Sequence, residues 1–206
     1  MKILLTAFDP FGGETINPAL EAVNAVGDNA AGCEIVKLTV PTVFGRSVDV
    51  VTEAIASQKP DAVLMIGQAG GRSAITPERF AVNVMDARIA DNAGKTPVDE
   101  PIREDGPAAY FSTLPIKKMT EAIRAAGLPA AVSDTAGTFV CNQLMYGVLD
   151  YIARCCPGIP AGFMHVPFAP AQTAARGLQA PSMSITDITA GVEAAIAAIA
   201  EQEKQR

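Results

Sequence analysis

One histidine and four cysteines are the side chains of this 206-residue sequence best suited to nucleophilic chemistry. Cys33, Cys141, Cys155 and Cys156 include no Cys-x-x-Cys pair, and His165 is the sole histidine, so the spacing of a zinc site is missing. Four cysteines are also too few for a disulfide-stapled secreted domain. Reduced thiols, no metal and a cytoplasmic setting are expected. A thiol beside an imidazole that is itself oriented by a carboxylate can attack a carbonyl and carry the acyl group. Which thiol meets the histidine depends on the elements that carry them.

Those elements alternate. Residues 3–8, 34–40, 62–66, 130–133 and 162–166 read as strands, several of them continuous apolar runs suited to a sheet covered on both faces. Residues 18–26, 45–57, 116–126, 142–153 and 185–203 read as helices. Pro18 suits a first helical turn, and Ser184 with Asp187 resembles a capping box. The alternation predicts a layered α/β/α sandwich with a twisted, largely parallel central sheet, formed as a single domain over residues 1–206. Residues 68–115 break the rhythm. Phe80, Val82 and Val84 alternate there as in an inserted strand or hairpin, and the proline-rich remainder reads as a long functional connection.

Ligands of open α/β sheets bind beyond the carboxyl ends of the strands. The predicted strands release Phe8-Asp9-Pro10-Phe11-Gly12-Gly13, then Gly67-Gln68-Ala69-Gly70-Gly71-Arg72, then the segment from Asp134 to Cys141, and finally His165 onto that rim. Cys141 is the one thiol that falls there. Cys33 precedes a strand, and Cys155 and Cys156 close the helix that Cys141 opens. Backbone N–H groups at a helix start favour a thiolate and could receive an oxyanion. Asp9, Glu78, Asp86, Asp91 and Asp134 all lie near the rim, so the orienting acid stays open.

Plainer readings compete. A lone cysteine at a helix start is more often a small buried residue, and a histidine ending an apolar strand is more often a bonded core residue. The glycine-rich segment 67–72 could cradle a phosphate, which would make the chain a non-catalytic nucleotide or small-ligand binding module. It matches neither Gly-x-Gly-x-x-Gly nor the Walker pattern. A 49% hydrophobic, 18% charged composition excludes a disordered chain, and a net charge of −6 without basic runs argues against nucleic acid. No apolar stretch is long enough to span a membrane, and the first residues are too short an apolar run for a signal peptide.

The blocks Thr6-Ala7-Phe8-Asp9-Pro10-Phe11-Gly12-Gly13, Asn17-Pro18, Gly67-Gln68-Ala69-Gly70-Gly71-Arg72 and Pro77-Glu78-Arg79-Phe80-Ala81-Val82-Asn83 form a recognisable series. It continues in Asp86-Ala87-Arg88-Ile89, Asp91-Asn92, Gly137-Thr138-Phe139-Val140-Cys141-Asn142 and Phe163-Met164-His165-Val166-Pro167. In this order, and over essentially the whole chain, they resemble the pyroglutamyl peptidase I family. Met85 and Ala90 stand where that family more often has Asp and Pro, and Ala169 and Ala171 dilute the block after His165.

The resemblance implies a cofactor-free thiol exopeptidase that removes N-terminal pyroglutamyl residues from peptides. It implies Cys141 as nucleophile, His165 as base and acid, Glu78 as the orienting carboxylate and Arg88 as electrostatic support beside the nucleophile. The pyroglutamyl pocket implied is Phe8, Phe11, Gln68 and Phe139, with Asn17 and Ile89 at its margin, and the family is often a dimer or tetramer. The chemistry is consistent. A neutral lactam needs a flat apolar slot with one donor and one acceptor, which Gln68 can supply through side chain or backbone.

Overall fold

Strands buried on both faces form the centre of the sheet, and their order decides where a crevice opens. The computed structural model describes residues 1–205. In chain order its elements are β1 (Lys2–Phe8), α1 (Pro18–Ala25), β2 (Asn29–Ala30), β3 (Cys33–Val40), α2 (Arg46–Gln58), β4 (Ala62–Gln68) and β5 (Thr76–Pro77). There follow β6 (Phe80–Val82), β7 (Ala109–Phe111), α3 (Ile116–Ala125), α4 (Val140–Cys155), β8 (Ala161–Val166), α5 (Pro170–Ala175) and α6 (Ile185–Lys204).

The main sheet runs β2-β3-β1-β4-β8-β5. Its four central strands are parallel, while the short edges β2 and β5 are antiparallel to their neighbours. Side chains alternate between its faces. Ile3, Leu5, Ala7, Leu64, Ile66, Met164 and Val166 pack into one apolar cluster that includes residues of α1, α3 and α6. Leu4, Phe8, Val63, Met65 and Phe163 pack into the other, with α2 and α4. The result is the expected three-layer α/β/α arrangement. Truncating a wholly buried member such as Leu64 to alanine would cost about 2–5 kcal/mol. Among the described residues, no helix is long and apolar enough to cross a membrane.

Local signals fix the helix starts. Asn17 Oδ1 accepts from Ala19 N at 3.0 Å ahead of Pro18, and Ser184 Oγ accepts from Asp187 N at 3.1 Å. The inserted strand is β6, which pairs antiparallel with β7 as a separate two-stranded sheet, with residues 83–108 between them.

One expected strand is absent. Residues 130–133 run parallel beside residues 75–78 but touch them only through isolated bridges, Ile75 to Ala130 and Glu78 to Ser133. Ile75 N donates to Pro129 O, Ala131 N to Ile75 O, Ser133 N to Pro77 O and Arg79 N to Ser133 O. Pro77 and Pro129 have no N–H to continue that ladder, so it never becomes a regular strand. The sheet edge is β5 instead, and Glu78 follows it directly.

The chain leaves β1 towards β3 and then crosses back to β4. That reversal opens a crevice beyond the carboxyl ends of β1 and β4, where Phe8 and Gln68 end their strands.

Candidate active site

Cys141 and His165 reach one face of the sheet by different routes. His165 lies in register with Gly67 across the β4–β8 ladder, and by alternation both share the face of Phe163, against which α4 packs. Cys141 is the second residue of α4, and its Sγ is 3.2 Å from where a Cβ on Gly67 would stand. Gly67 has no side chain, and the thiol occupies that opening. Phe139 at the N-cap gives no side-chain acceptor, so the first-turn N–H groups of α4 are left for another acceptor. Cys155 and Cys156 lie at the far end of this 16-residue helix, about 21 Å away at 1.5 Å per residue.

His165 is buried at 3% exposure, its ring centroid 4.9 Å from that of Phe163. Its Nδ1 is 2.7 Å from Oε1 of Glu78, which is wholly buried. Glu78 is held by its backbone: Glu78 N donates to Phe163 O at 2.8 Å, and its other side bridges to Ser133. The same Oε1 accepts from Arg72 Nη1 at 2.7 Å. Sequence reasoning missed Arg72 as a site residue. Its only signal is its place at the end of the glycine-rich segment, where it reads as part of a phosphate cradle.

Burial sets the resting protonation. It pushes the Cys141 thiol up to about 12, with the Glu78 charge adding to the rise and Arg72 opposing it. Burial likewise holds His165 below its ordinary value, against the hydrogen bond and charge of Glu78. For Glu78 burial alone would raise the carboxyl, but the bond to His165 and the nearby charges outweigh it and lower it. These directions favour a neutral thiol, a neutral imidazole and a carboxylate at rest, because desolvation acts against the helix-end field that favours a thiolate.

The aromatic residues divide by depth. Phe8 is buried and packs on Phe163, ring centroids 6.3 Å apart, so it is a floor beneath the site. Phe11 and Phe139 are half-buried with centroids 6.3 Å apart, and Phe139 stands edge-on to Phe44 at 5.3 Å. Ile89 is 49% exposed above the β1–α1 loop, its Cδ1 4.0 Å from where a Cβ on Gly12 would stand. Its segment is tied to the start of α4, since Asp86 N donates to Thr138 O and Thr138 Oγ1 to Asp86 O.

Gln68 points its side chain away from Cys141. Alternation puts it on the opposite face from Gly67, and its Oε1 accepts from Gln172 Nε2 at 3.0 Å. Its backbone, at the crevice, is the part left to meet a ligand. Asn17 is spent on structure: Oδ1 caps α1 and Nδ2 donates to Asp9 O at 3.2 Å. Arg88 is exposed and makes no hydrogen bond or ion pair among the described residues.

The other rim acids serve loops. Asp9 accepts from Thr42 and Asn92, Asp91 from the backbone of Phe44, Ala93 and Lys95, and Asp134 from Arg79, while Asp86 is exposed. Of the five, Glu78 alone touches His165. Asn142, next to the thiol and fully buried, accepts from Val82 N and donates to the carbonyls of Val82 and Val84, tying α4 to β6.

Fold and site together describe an α/β protein with a cysteine, a histidine and a glutamate gathered at the carboxyl edge of its sheet. The pyroglutamyl peptidase family model matches residues 1–202, and the chain belongs to that family. It is 59% identical to the pyrrolidone-carboxylate peptidase of Streptococcus pyogenes over 201 residues, 98% of this chain and 93% of the relative. The crystal structure of pyroglutamyl peptidase I from Bacillus amyloliquefaciens superposes with a TM-score of 0.91 at 51% identity, covering 97% of each chain. A mutant pyrrolidone carboxyl peptidase from Pyrococcus furiosus gives 0.93 at 41% identity, covering 98% of this chain and 100% of that one.

Proposed function

We propose that this chain is a cytoplasmic cysteine exopeptidase that hydrolyses the N-terminal pyroglutamyl residue from peptides, with Cys141 as nucleophile. The observation that carries the reading is the 2.7 Å contact between His165 Nδ1 and Glu78 Oε1, with Cys141 Sγ over Gly67, the register partner of His165. Glu78 accepts a hydrogen bond from Nδ1–H and so leaves Nε2 as the free base.

As Cys141 Sγ attacks the pyroglutamyl carbonyl, its proton passes to His165 Nε2. A C–S bond forms, and the carbonyl electron pair moves to oxygen, which the first-turn N–H groups of α4 stabilise. His165 Nε2 then gives its proton to the leaving nitrogen, the C–N bond breaks, and a thioester remains. Water attacks the thioester while Nε2 takes its proton. The C–S bond breaks, pyroglutamate departs, and Cys141 recovers its proton. The Glu78 carboxylate stabilises the imidazolium in each half, and the cycle draws on no metal or cofactor.

Substrate recognition rests on the crevice. Phe11 and Phe139 form an apolar slot above Phe8 and Phe163, with Ile89 over its mouth. The Gln68 backbone supplies polar partners for the lactam, and Asn17 contributes by fixing the β1–α1 loop. Arg88 lies in the segment that Asp86 ties to Thr138 at the start of α4, and from there its charge supports the site. The chain works as one domain and assembles as a homo-oligomer.

Hydrolysis of a chromogenic pyroglutamyl amide beside its prolyl and glutamyl counterparts tests the reading. A prolyl ring brings an ammonium and no lactam carbonyl, so rejection by about 10⁴-fold is expected. Comparable rates on the prolyl amide would overturn the substrate assignment.

A further inference from the structure

We propose that Arg72 is a positioning residue of this site: by sharing Oε1 of Glu78 with His165, it fixes the carboxylate in place and keeps it charged. The inference rests on the reading of Cys141, His165 and Glu78 above and adds a fourth group to it.

Arg72 leaves the loop after β4 and turns inward. Nη1 donates to Glu78 Oε1 at 2.7 Å and to Thr76 Oγ1 at 2.6 Å, and Nη2 donates to Thr135 O at 2.9 Å. One planar guanidinium thus ties β5, the catalytic carboxylate and the segment leading to α4. A rigid fork loses little freedom in making such bonds, and a flexible ammonium could not make all three.

The need for a cation follows from the surroundings of Glu78. Its side chain is 0% exposed, and Oε2 has no hydrogen-bond partner among the described residues, so both of its polar contacts fall on Oε1. Without Arg72 the buried carboxylate would have only a neutral imidazole and the nearby Ser133 hydroxyl to offset its charge, and it would more readily take up a proton. Arg72 supplies the missing charge at the shared oxygen, and its side chain is only 28% exposed. When His165 becomes an imidazolium during turnover, Arg72 also makes Oε1 less basic. The Nδ1 proton then stays on the ring, and Glu78 remains an acceptor.

Few other charges reach this array. His165 faces Glu78 from β8 and Cys141 faces it from the start of α4. Arg79, the next residue in the chain, is paired with Asp134. The glycine-rich loop that resembles an anion cradle therefore directs its arginine inward, to a carboxylate already in the protein.

The test compares wild type, Arg72→Met and Arg72→Lys by kcat/KM against pH on the pyroglutamyl amide, and by iodoacetamide alkylation of Cys141 against pH in the free protein. In Arg72→Met kcat should fall about tenfold or more, as for loss of other groups that orient a functional histidine. KM should change by less than about twofold. The acid limb should move up by about one unit, because without the cation both His165 and Glu78 hold their protons to higher pH. Alkylation of Cys141 should shift to higher pH as well. Arg72→Lys should bring both profiles back towards wild type.

Two results would overturn the proposal: wild-type kcat with unmoved profiles in Arg72→Met, or a loss of kcat that leaves both profiles unmoved and that lysine does not repair. A wild-type chain inert on the pyroglutamyl amide would instead sink the functional reading. The alkylation profiles would still decide whether Arg72 acts on the Cys141–His165–Glu78 array.

Discussion

Gly67 and His165 are register partners on adjacent parallel strands, and the hydrogen atom that serves Gly67 as a side chain is what admits Cys141 to the histidine's face of the sheet. A Cβ there would stand 2.7 Å from Phe163 Cζ, 2.9 Å from Phe163 Cε1 and 3.2 Å from Cys141 Sγ. None of these can yield cheaply, since Phe163 is in the core and the thiol is fixed by α4.

Gly67→Ala should therefore impair both folding and turnover. Overpacking should cost about 1–3 kcal/mol in denaturant unfolding. Displacement of Sγ should lower kcat by about 100-fold, on the scale that follows a 1 Å misplacement. A variant with normal kcat would show that the thiol has another route to the histidine.

Protonation gives a second expectation. With burial raising Cys141 to about 12 and lowering His165, alkylation of Cys141 in the free protein should be slow at neutral pH and still climbing above pH 9. Turnover needs only a neutral imidazole, so the acid limb of kcat/KM should lie below the ordinary histidine value of about 6.5. An alkylation plateau reached near neutrality would point to a resting thiolate–imidazolium pair instead.

The same groups set acid stability. His165 is lowered in the fold, so between its unfolded value near 6.5 and its folded value the unfolded chain binds the extra proton, and stability falls as pH drops. Glu78 is also lowered, and its contribution is present above its unfolded value and lost as pH falls through the folded one. The melting temperature should thus decline steadily from about pH 6.5 downward. A flat profile to pH 4 would contradict the buried neutral histidine.

Sequence and structure diverge where spacing carries no information about burial. The alternating strands and helices are legible because apolar runs and caps such as Asn17-Pro18 and Ser184 act locally. The grouping of Cys141 with His165 is legible too, since strand ends define a rim. What selects Glu78 is not. It depends on Pro77 and Pro129 interrupting a ladder at the sheet edge, so that residue 78 is clamped between Phe163 and Ser133. Arg72 is hidden for a related reason, because a loop arginine can turn outward or inward and its neighbours do not say which. Asn17 shows the converse, a residue of the right type at the rim whose two polar ends are already bonded.

Away from the site, Asp150 gathers Arg103, Tyr110 and Arg154, linking β7 and the long connection to α4. Asp150→Asn should lower stability by about 1–3 kcal/mol, because the amide accepts fewer of these bonds and leaves the charges uncompensated. The kcat on a pyroglutamyl amide should stay near wild type. A large loss of kcat with unchanged stability would mean that this network reaches the catalytic groups.

Turnover of the pyroglutamyl amide by Cys141→Ser, measured beside Cys155→Ser on equally folded protein, tests the central claim most directly. A hydroxyl in place of the thiol should cut kcat by about 10³-fold or more, while Cys155→Ser stays near wild type. A Cys141→Ser variant that kept kcat within about tenfold of wild type would contradict the account, since the chemistry would then not pass through that sulfur.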